Sequence, residues 1–593
     1  MHAPCRKWGC KNCTVIDSTH FSAAFIIPKA SRLENMDEIQ IELALSHHKA
    51  GRLTEAEGLY RQILAANPRQ ASVLNYYGVL AIQNGQIELA VKLLRRAVAA
   101  NPTDAHYHCN LGEALRQSGR AESAITSFKE AIGLNPGLAV AHNNLGIALA
   151  AAKDFDQAIA AYHRAVQLQP DYAEAHGNLG NTLKESLRFD EAVAECRIAV
   201  GLKPQSAEFH NQLGAALAES GEIDEAIGEY QAAIQIDPKH ADAHSNMGNA
   251  LAAQGRVQDA VTSCETAVRL RPDSVPAHWN FAVALLRAGD YQRGWAEHEW
   301  RLRSPVPGFQ QRFAQRVWDG SPLNGKTILL HAEQGFGDTI QFARYVPLVA
   351  ARGGRIIVEC HRELLRLFGQ SPGVDLAIAR GDALPHFDEH SPLMSLPLAF
   401  HTRLETIPAS VPYLRAGDEL VGRWKERLAA MAMGSRVLHV GLCCVGNAAH
   451  RNDRERSIPF AALAPLATAG VIFHSLHKEF VPSDSNGMRW VDHSKELSDF
   501  AETAALVANL DHVISVDTAV AHLSGALGIA TSVLLPSVPD WRWMLHRQES
   551  AWYPTSRLYR QKRFGQWQEV VQRVARSLEQ IVQKARSEPR RVG

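Results

Sequence analysis

Proline recurs at Pro68, Pro102, Pro136, Pro170, Pro204, Pro238 and Pro272, every step being 34 residues. Glycine keeps the same step through Gly78, Gly112, Gly146, Gly180, Gly214 and Gly248. Alanine does so through Ala56, Ala90, Ala124, Ala158, Ala192, Ala226 and Ala260. Three series in one register restrict this part of the chain to a stack of near-identical small units. One such unit cannot bury its own apolar face, so its neighbours must do it. The residue types fit two antiparallel helices per unit. Gly112 on the first helix and Ala124 on the second are small enough for close approach. Leu111, Leu145, Leu179, Leu213 and Met247 fill the contact, and the proline ends the second helix. Seven regular units run from Asp37 to Asp273. An eighth, from Val275, loses the pattern at Gly294 and His298 and reads as a cap joining the next domain.

This pattern resembles the tetratricopeptide repeat (TPR), which implies an all-α superhelix over residues 37–303 with first helices lining a groove. Two polar series fall on those first helices. One is Asn110, Asn144, Asn178, Gln212, Asn246 and Asn280. A ladder of amides can hold the backbone of an extended peptide, since each amide both donates and accepts. Stacked repeats about 10 Å apart would meet such a chain roughly every three residues. Similar asparagine ladders occur in the superhelix of O-GlcNAc transferase. The amides serve equally well to bond neighbouring helices, and both readings stand at this point. The other series is His108, His142, His176, His210, His244 and His278, for which helix bonding is the expectation.

After the repeats the periodicity changes. Residues 1–36 are expected to be a disordered extension, with Met36 as an alternative start, and 304–325 a proline-rich linker. Residues 326–434 and 435–593 then read as two Rossmann-like halves facing across a cleft, closed by a final helix over 566–584. Expected strands are 327–331, 355–360, 375–379, 393–396, 437–443, 471–476, 512–516 and 532–535, with a charged helix near 420–431. The first strand is followed by Gly335 and Gly337, and then by a helical pattern through Ile340, Ala343, Val346 and Val349. Ligands of such sheets sit at strand carboxyl ends, where Glu333 and Asp338 fall. Asp338 followed by Gln341 also fits a helix N-cap with a capping box.

The second half carries three charged clusters at successive strand ends. Gly446–Ser457 brings Asn447, His450, Asp453, Arg454 and Arg456. His477 and Lys478 follow the next strand. Asp517 precedes a helix on which Thr518 and His522 share a face. A helix N-terminus with Arg456 and Lys478 nearby suits a diphosphate. Singly, Asp517 reads as an N-cap and His522 as a core histidine; together they read as a binding cleft.

Composition narrows the classes. Lys+Arg and Asp+Glu both number 62, so the net charge is zero, which argues against non-specific nucleic-acid binding. Nine cysteines are too sparse for a disulfide framework and indicate a reducing, cytoplasmic setting. Cys5, Cys10 and Cys13 could suggest a metal site, but no clean CxxC pair of pairs follows. No apolar run approaches the ~18–20 residues of a membrane span.

The segments HAEQGFGDTIQFARY, GNAAHRNDRERSIP, SVDTAVAHLSGALG and VPDWRWM together resemble TPR-linked glycosyltransferases related to family nine, the ADP-heptose:lipopolysaccharide heptosyltransferases. The resemblance covers residues 37 to about 575. It implies a GT-B fold, inversion at the sugar, and no metal or other cofactor beyond a nucleotide-diphosphate sugar co-substrate. It implies Asp338 as general base, and Asp517, Thr518 and His522 in contact with the donor. Gly335, Gly337, Asn447, His450, Arg456 and Lys478 complete the expected donor site. Residues 326–593 contain no DxD motif. Cys444 and Ala448 stand where relatives usually have tryptophan and proline. The expectation is a glycosyltransferase, its sugar unresolved among hexosyl, heptosyl and N-acetylhexosaminyl classes. Its acceptor, a protein or glycan, is recruited through the repeats. Protein O-glycosylation of the O-GlcNAc-transferase type and a non-catalytic scaffold with a vestigial sugar-nucleotide site are the alternatives.

Overall fold

The computed structural model describes residues 36–304, 312–431, 437–447, 453–478, 485–563 and 565–587. The N-terminal extension, His450 and Ala448 lie outside the described residues. The chain divides into two compact units between Ala250 and Leu251.

The first unit is built of paired helices, beginning with Met36–Lys49 and Leu53–Ala66. Gly78, Gly112, Gly146 and Gly214 make room for a large side chain 16 residues on, whereas Gly180 faces Cys196 and the Ala192 carbonyl. A Cβ at Gly112 would lie 2.6 Å from Phe128 Cε1, and one at Gly146 would lie 2.6 Å from Tyr162 Cε1. The repeat alanines are fully buried alongside.

The amide series does not line a groove. Asn110, Asn144, Asn178, Gln212, Asn246 and Asn280 are all buried. Asn110 Nδ2 donates to Asn75 Oδ1 at 2.9 Å, Asn178 to Asn143 and Asn246 to Asn211, both at 3.0 Å. Each of these bonds links one first helix to that of the preceding repeat. Gln212 turns to Glu208 on its own helix, at 2.7 Å. Of the two readings, helix bonding is the one these bonds support: the amides are buried and bond within the stack rather than across an open groove.

The second unit begins within the helix Ala241–Ala253. Its division falls earlier than residue 303, where the repeat pattern ends, and aromatic packing explains why. Tyr291 and Trp295, on the helix Tyr291–His298, meet Trp541 edge-on at 6.2 and 5.4 Å between ring centroids. Trp295 does the same to Trp552 and Phe342. These rings join the main core of the α/β region.

That region holds two parallel sheets. The first contains β1 (Arg316–Val317), β2 (Thr327–His331), β3 (Arg355–Cys360), β4 (Leu376–Ala379) and β5 (Glu389–Pro392), in the order β1-β5-β2-β3-β4. The second contains β6 (Leu438–Cys443), β7 (Val471–Ser475), β8 (Trp490–Val491), β9 (His512–Val516), β10 (Thr531–Leu535) and β11 (Ser556–Arg560), in the order β11-β10-β9-β6-β7-β8. Every ladder is parallel. Each sheet winds outward from its β2 or β6 strand, then jumps back to grow on the other side. Such a reversal opens a crevice at the carboxyl ends of the two strands flanking it. The crevices lie between β2 and β5 and between β6 and β9.

Three sequence expectations are corrected here. The strand expected at 393–396 is β5, four residues earlier, and the chain turns into a 3-10 segment at Leu393. Glu389, His390 and Ser391 are polar yet buried, so the apolar pattern did not mark them; Lys326 Nζ neutralises Glu389 at 2.6 Å. The expected linker 304–325 contains β1 and the buried Trp318 and Leu323. The expected continuous helix is broken into Phe336–Phe342, a 3-10 turn Ala343–Tyr345 and Val346–Ala350, because Pro347 has no N–H to continue it. The terminal helix Trp567–Ser587 buries Val570, Val574, Leu578 and Val582 in one core with Val440 and Phe473 of the second sheet.

Candidate functional site

β2 ends in a loop that enters the helix Phe336–Phe342 through Gly335, its N-cap residue. Asp338 is thus the third helical residue and not the cap. Its carboxylate accepts from the Gly335 backbone N–H, the reach-back half of a capping box. Gln341 plays no part in that cap; its Oε1 accepts from Arg542 Nε.

Arg542 is the centre of the cluster. It sits in the 3-10 turn Trp541–Trp543 that follows β10, and Asp540 caps that turn. Arg542 Nη2 donates to Asp338 Oδ1, and Nη1 donates to Asp540 Oδ1 at 2.8 Å. Its guanidinium also lies over the Trp541 ring, 4.7 Å from the centroid. Burial raises the Asp338 pKa against the pull of Arg542, and the charges of Asp540 and Asp517 push the same way. A carboxylate raised in this way is a better proton acceptor than a solvated one.

The second sheet meets this loop through His522. A Cβ at Gly337 would lie 3.0 Å from His522 Cδ2, so glycine lets the loop backbone approach the ring. His522 belongs to the helix Ala519–Ala526 after β9. Its Nδ1 lies 2.8 Å from Tyr553 Oη, its Nε2 is 3.9 Å from Asp517 Oδ1, and the ring stacks on Trp543. Burial, with Arg542 nearby, lowers its pKa to about 3, so the imidazole is neutral.

Thr518, not Asp517, is the N-cap of that helix. The Thr518 hydroxyl leaves the helix uncapped and lies 3.1 Å from Ser515 Oγ and 3.6 Å from Cys443 Sγ. Arg456 Nη1 donates to the Asp517 carbonyl at 3.1 Å, which ties the loop after β6 to the loop after β9. Gly446 lets the Asp453 carboxylate and the Arg456 guanidinium lie close against the backbone there.

Asp338, Gly335, Gly337, Arg456, Asp517, Thr518 and His522 therefore converge at the two switch points. Lys478 does not join them: it is exposed and donates to the Ser498 carbonyl at 3.3 Å. Asn447 is exposed on the loop after β6. Glu333, the alternative base, is buried in an ion pair with Arg301 Nη2 at 2.9 Å. Arg301 also reaches Glu299 at 2.5 Å and Ser395 at 2.7 Å, so this cluster ties the end of the last repeat to the carboxyl ends of β2 and β5.

Sequence reasoning missed Arg542 and Arg301. A signal was present, because each directly follows a tryptophan, in Asp540-Trp-Arg-Trp543 and Glu299-Trp-Arg301. A charge beside large rings is a candidate for burial.

The tetratricopeptide-repeat family matches residues 41–105, 78–139, 139–172, 214–255 and 245–294. The chain thus carries TPR repeats through its N-terminal part, followed by an α/β region. Protein FlbA of Caulobacter vibrioides is 27% identical over 320 residues, 49% of this chain and 52% of that protein. The chain spans about half the length of this curated relative. Among solved structures, YrrB, described as a TPR protein with an unusual peptide-binding site, is 25% identical. It covers 31% of this chain and 95% of its own, with a TM-score of 0.27. The Cut9–Hcn1 hetero-tetramer of the APC/C is 17% identical over 45% of this chain and 53% of its own, with a TM-score of 0.37. Among the described residues no helix is long and apolar enough to cross a membrane.

Proposed function

We propose that the α/β region is an inverting, metal-independent glycosyltransferase of GT-B type, and that the TPR array recruits its acceptor or a protein bearing it. One observation carries this reading. Asp338 from the switch point of the first sheet faces Asp517, Thr518 and His522 from the switch point of the second. A nucleotide-diphosphate sugar lies against the second group, with Arg456 and the helix N-terminus at Thr518 near its diphosphate. The acceptor hydroxyl enters from the first. Its oxygen forms a bond to the anomeric carbon as the bond to the diphosphate breaks; the diphosphate leaves with the electron pair. Asp338 takes the hydroxyl proton. Arg542 must release Asp338 before that step. The six described cysteines are free and buried, which fits a reducing compartment.

A thermal-shift screen of the full chain with UDP-, GDP-, ADP- and CMP-linked sugars tests the reading. A ligand at a hundred times its Kd stabilises the fold by about 2.7 kcal/mol. One donor class should raise the melting temperature and be turned over. No shift with any nucleotide sugar or nucleoside diphosphate would overturn the proposal.

The Asp338–Arg542 ion pair also favours a second reading, a sugar-nucleotide sensor in which the carboxylate stays occupied. It predicts donor binding without transfer. Protein O-glycosylation is the acceptor reading that the TPR repeats favour, because such repeats bind proteins.

A further inference from the structure

The repeat histidines supply their own internal comparison. His108 Nε2 lies 2.9 Å from the Pro102 carbonyl oxygen and His142 Nε2 lies 3.1 Å from that of Pro136, and the later repeats follow suit. The other ring nitrogen, Nδ1, faces the position 19 residues on. In three repeats that position is a glutamate. Glu195 lies 2.6 Å from His176, Glu229 lies 2.6 Å from His210, and Glu297 lies 2.5 Å from His278. For His108 and His244 the position is a serine, Ser127 and Ser263. For His142 it is Ala161, which offers the ring nothing.

At that repeat the array opens a cleft of about 350 Å³. Ala161 and His142 line it, over Leu145 and Leu149. Lys129 flanks it from the helix Ala121–Leu134, and Arg164 from the helix Phe155–Leu168. Elsewhere on the array, some exposed arginines are matched by acids of a neighbouring unit, as Arg120 is by Glu88 and Arg197 by Glu225. Among the described residues, Lys129 and Arg164 have no such acid, and no carboxylate lines the cleft. An apolar floor, an imidazole lacking the carboxylate its sister repeats hold, and two unmatched cations all ask for the same ligand.

We infer that this cleft docks an acidic peptide segment of a partner protein. A carboxylate of the partner takes the place that Glu195, Glu229 and Glu297 hold in the sister repeats. An adjacent leucine-sized side chain of the partner covers Leu145 and Leu149. Lys129 and Arg164 supply charge-assisted bonds and steer the approach. Burial and Arg164 lower the pKa of His142 while the cleft is empty. A carboxylate at Nδ1 acts in the opposite sense, as Glu195 does at His176. The inference concerns the array alone and stands whether or not the α/β region transfers sugar.

The test is fluorescence anisotropy of the full chain with a dye-labelled peptide, acetyl-Glu-Glu-Leu-Glu-Glu-Leu-amide, and its all-glutamine counterpart. The acidic peptide should bind at least tenfold tighter than the glutamine peptide. Ala161→Glu installs the sister repeats' own carboxylate, so it should fold normally and lower peptide affinity at least tenfold. The double change Lys129→Glu, Arg164→Glu alters only exposed side chains and should do the same. Binding should tighten from pH 8 to pH 6 as His142, which Lys129 and Arg164 flank across the cleft, takes up a proton. Equal affinity for the two peptides would overturn the inference, as would wild-type affinity in both variants. Phosphatidylserine vesicles that bind in place of the peptide, and are lost with Ala161→Glu, would also overturn it by assigning the cleft to a membrane surface.

Discussion

Arg542 holds Asp338 by an ion pair that joins the 3-10 turn after β10 to the first turn of the helix after β2. The same guanidinium holds Asp540 and Gln341, so three partners fix its position. The pair both links the two sheets and keeps the proposed base occupied.

Arg542→Gln removes the guanidinium that pulls the Asp338 pKa down, while burial, Asp540 and Asp517 still push it up. The Asp338 pKa then rises further. The carboxylate acts as base only above its pKa, so the acid limb of the kcat/KM profile should move to higher pH. An acid limb that stays in place would show that Asp338 is not the titrating base.

Arg301 and Glu333 are both almost fully buried, with side chains 1% and 2% exposed. Removing one partner of such a pair leaves a buried charge uncompensated and costs about 3–5 kcal/mol. Arg301→Met should lower the urea midpoint accordingly, and the double change Arg301→Met, Glu333→Leu should recover most of the loss. Equal midpoints for wild type and Arg301→Met would mean that the pair does not bind the last repeat to the α/β region.

His176 and Glu195 make stability depend on pH. Burial opposes the imidazolium, but Glu195 and the Pro170 carbonyl outweigh it and raise the His176 pKa above 6.5. A raised histidine contributes stability that is fully present below its unfolded pKa, and that is lost as pH rises through the folded value. The stability difference between wild type and His176→Gln should therefore be largest near pH 6 and shrink towards pH 9. Denaturant titrations at a series of pH values read it directly. A difference that does not change with pH would remove the charged pair from the account.

What the sequence made legible follows from what each residue must do. The 34-residue repeat was plain because small and apolar residues recur wherever helices touch. β2, β3, β6, β7, β9 and β10 were plain because strands buried on both faces read as apolar runs. β5 was misplaced because its buried Glu389 is neutralised by Lys326, a pairing no local pattern announces. The amide ladder stayed open between two readings because an asparagine bonded to a neighbouring repeat looks the same in sequence as one facing a groove. At the candidate site, Asp338, Asp517 and His522 stood out in sequence by their places at and just after strand ends. Arg542 did not, because its partner Asp338 lies 204 residues away.

The account rests on Asp338 as an acceptor-side base, and one measurement reaches it. Asp338→Asn keeps a side-chain oxygen for the Gly335 N–H, so the helix start and the fold should persist. Asparagine cannot take the hydroxyl proton. With whichever nucleotide sugar the screen identifies, single-turnover transfer by Asp338→Asn should fall roughly a hundredfold or more, with donor affinity nearly unchanged. Transfer at the wild-type rate would contradict the account and leave Asp338 as a structural partner of Arg542.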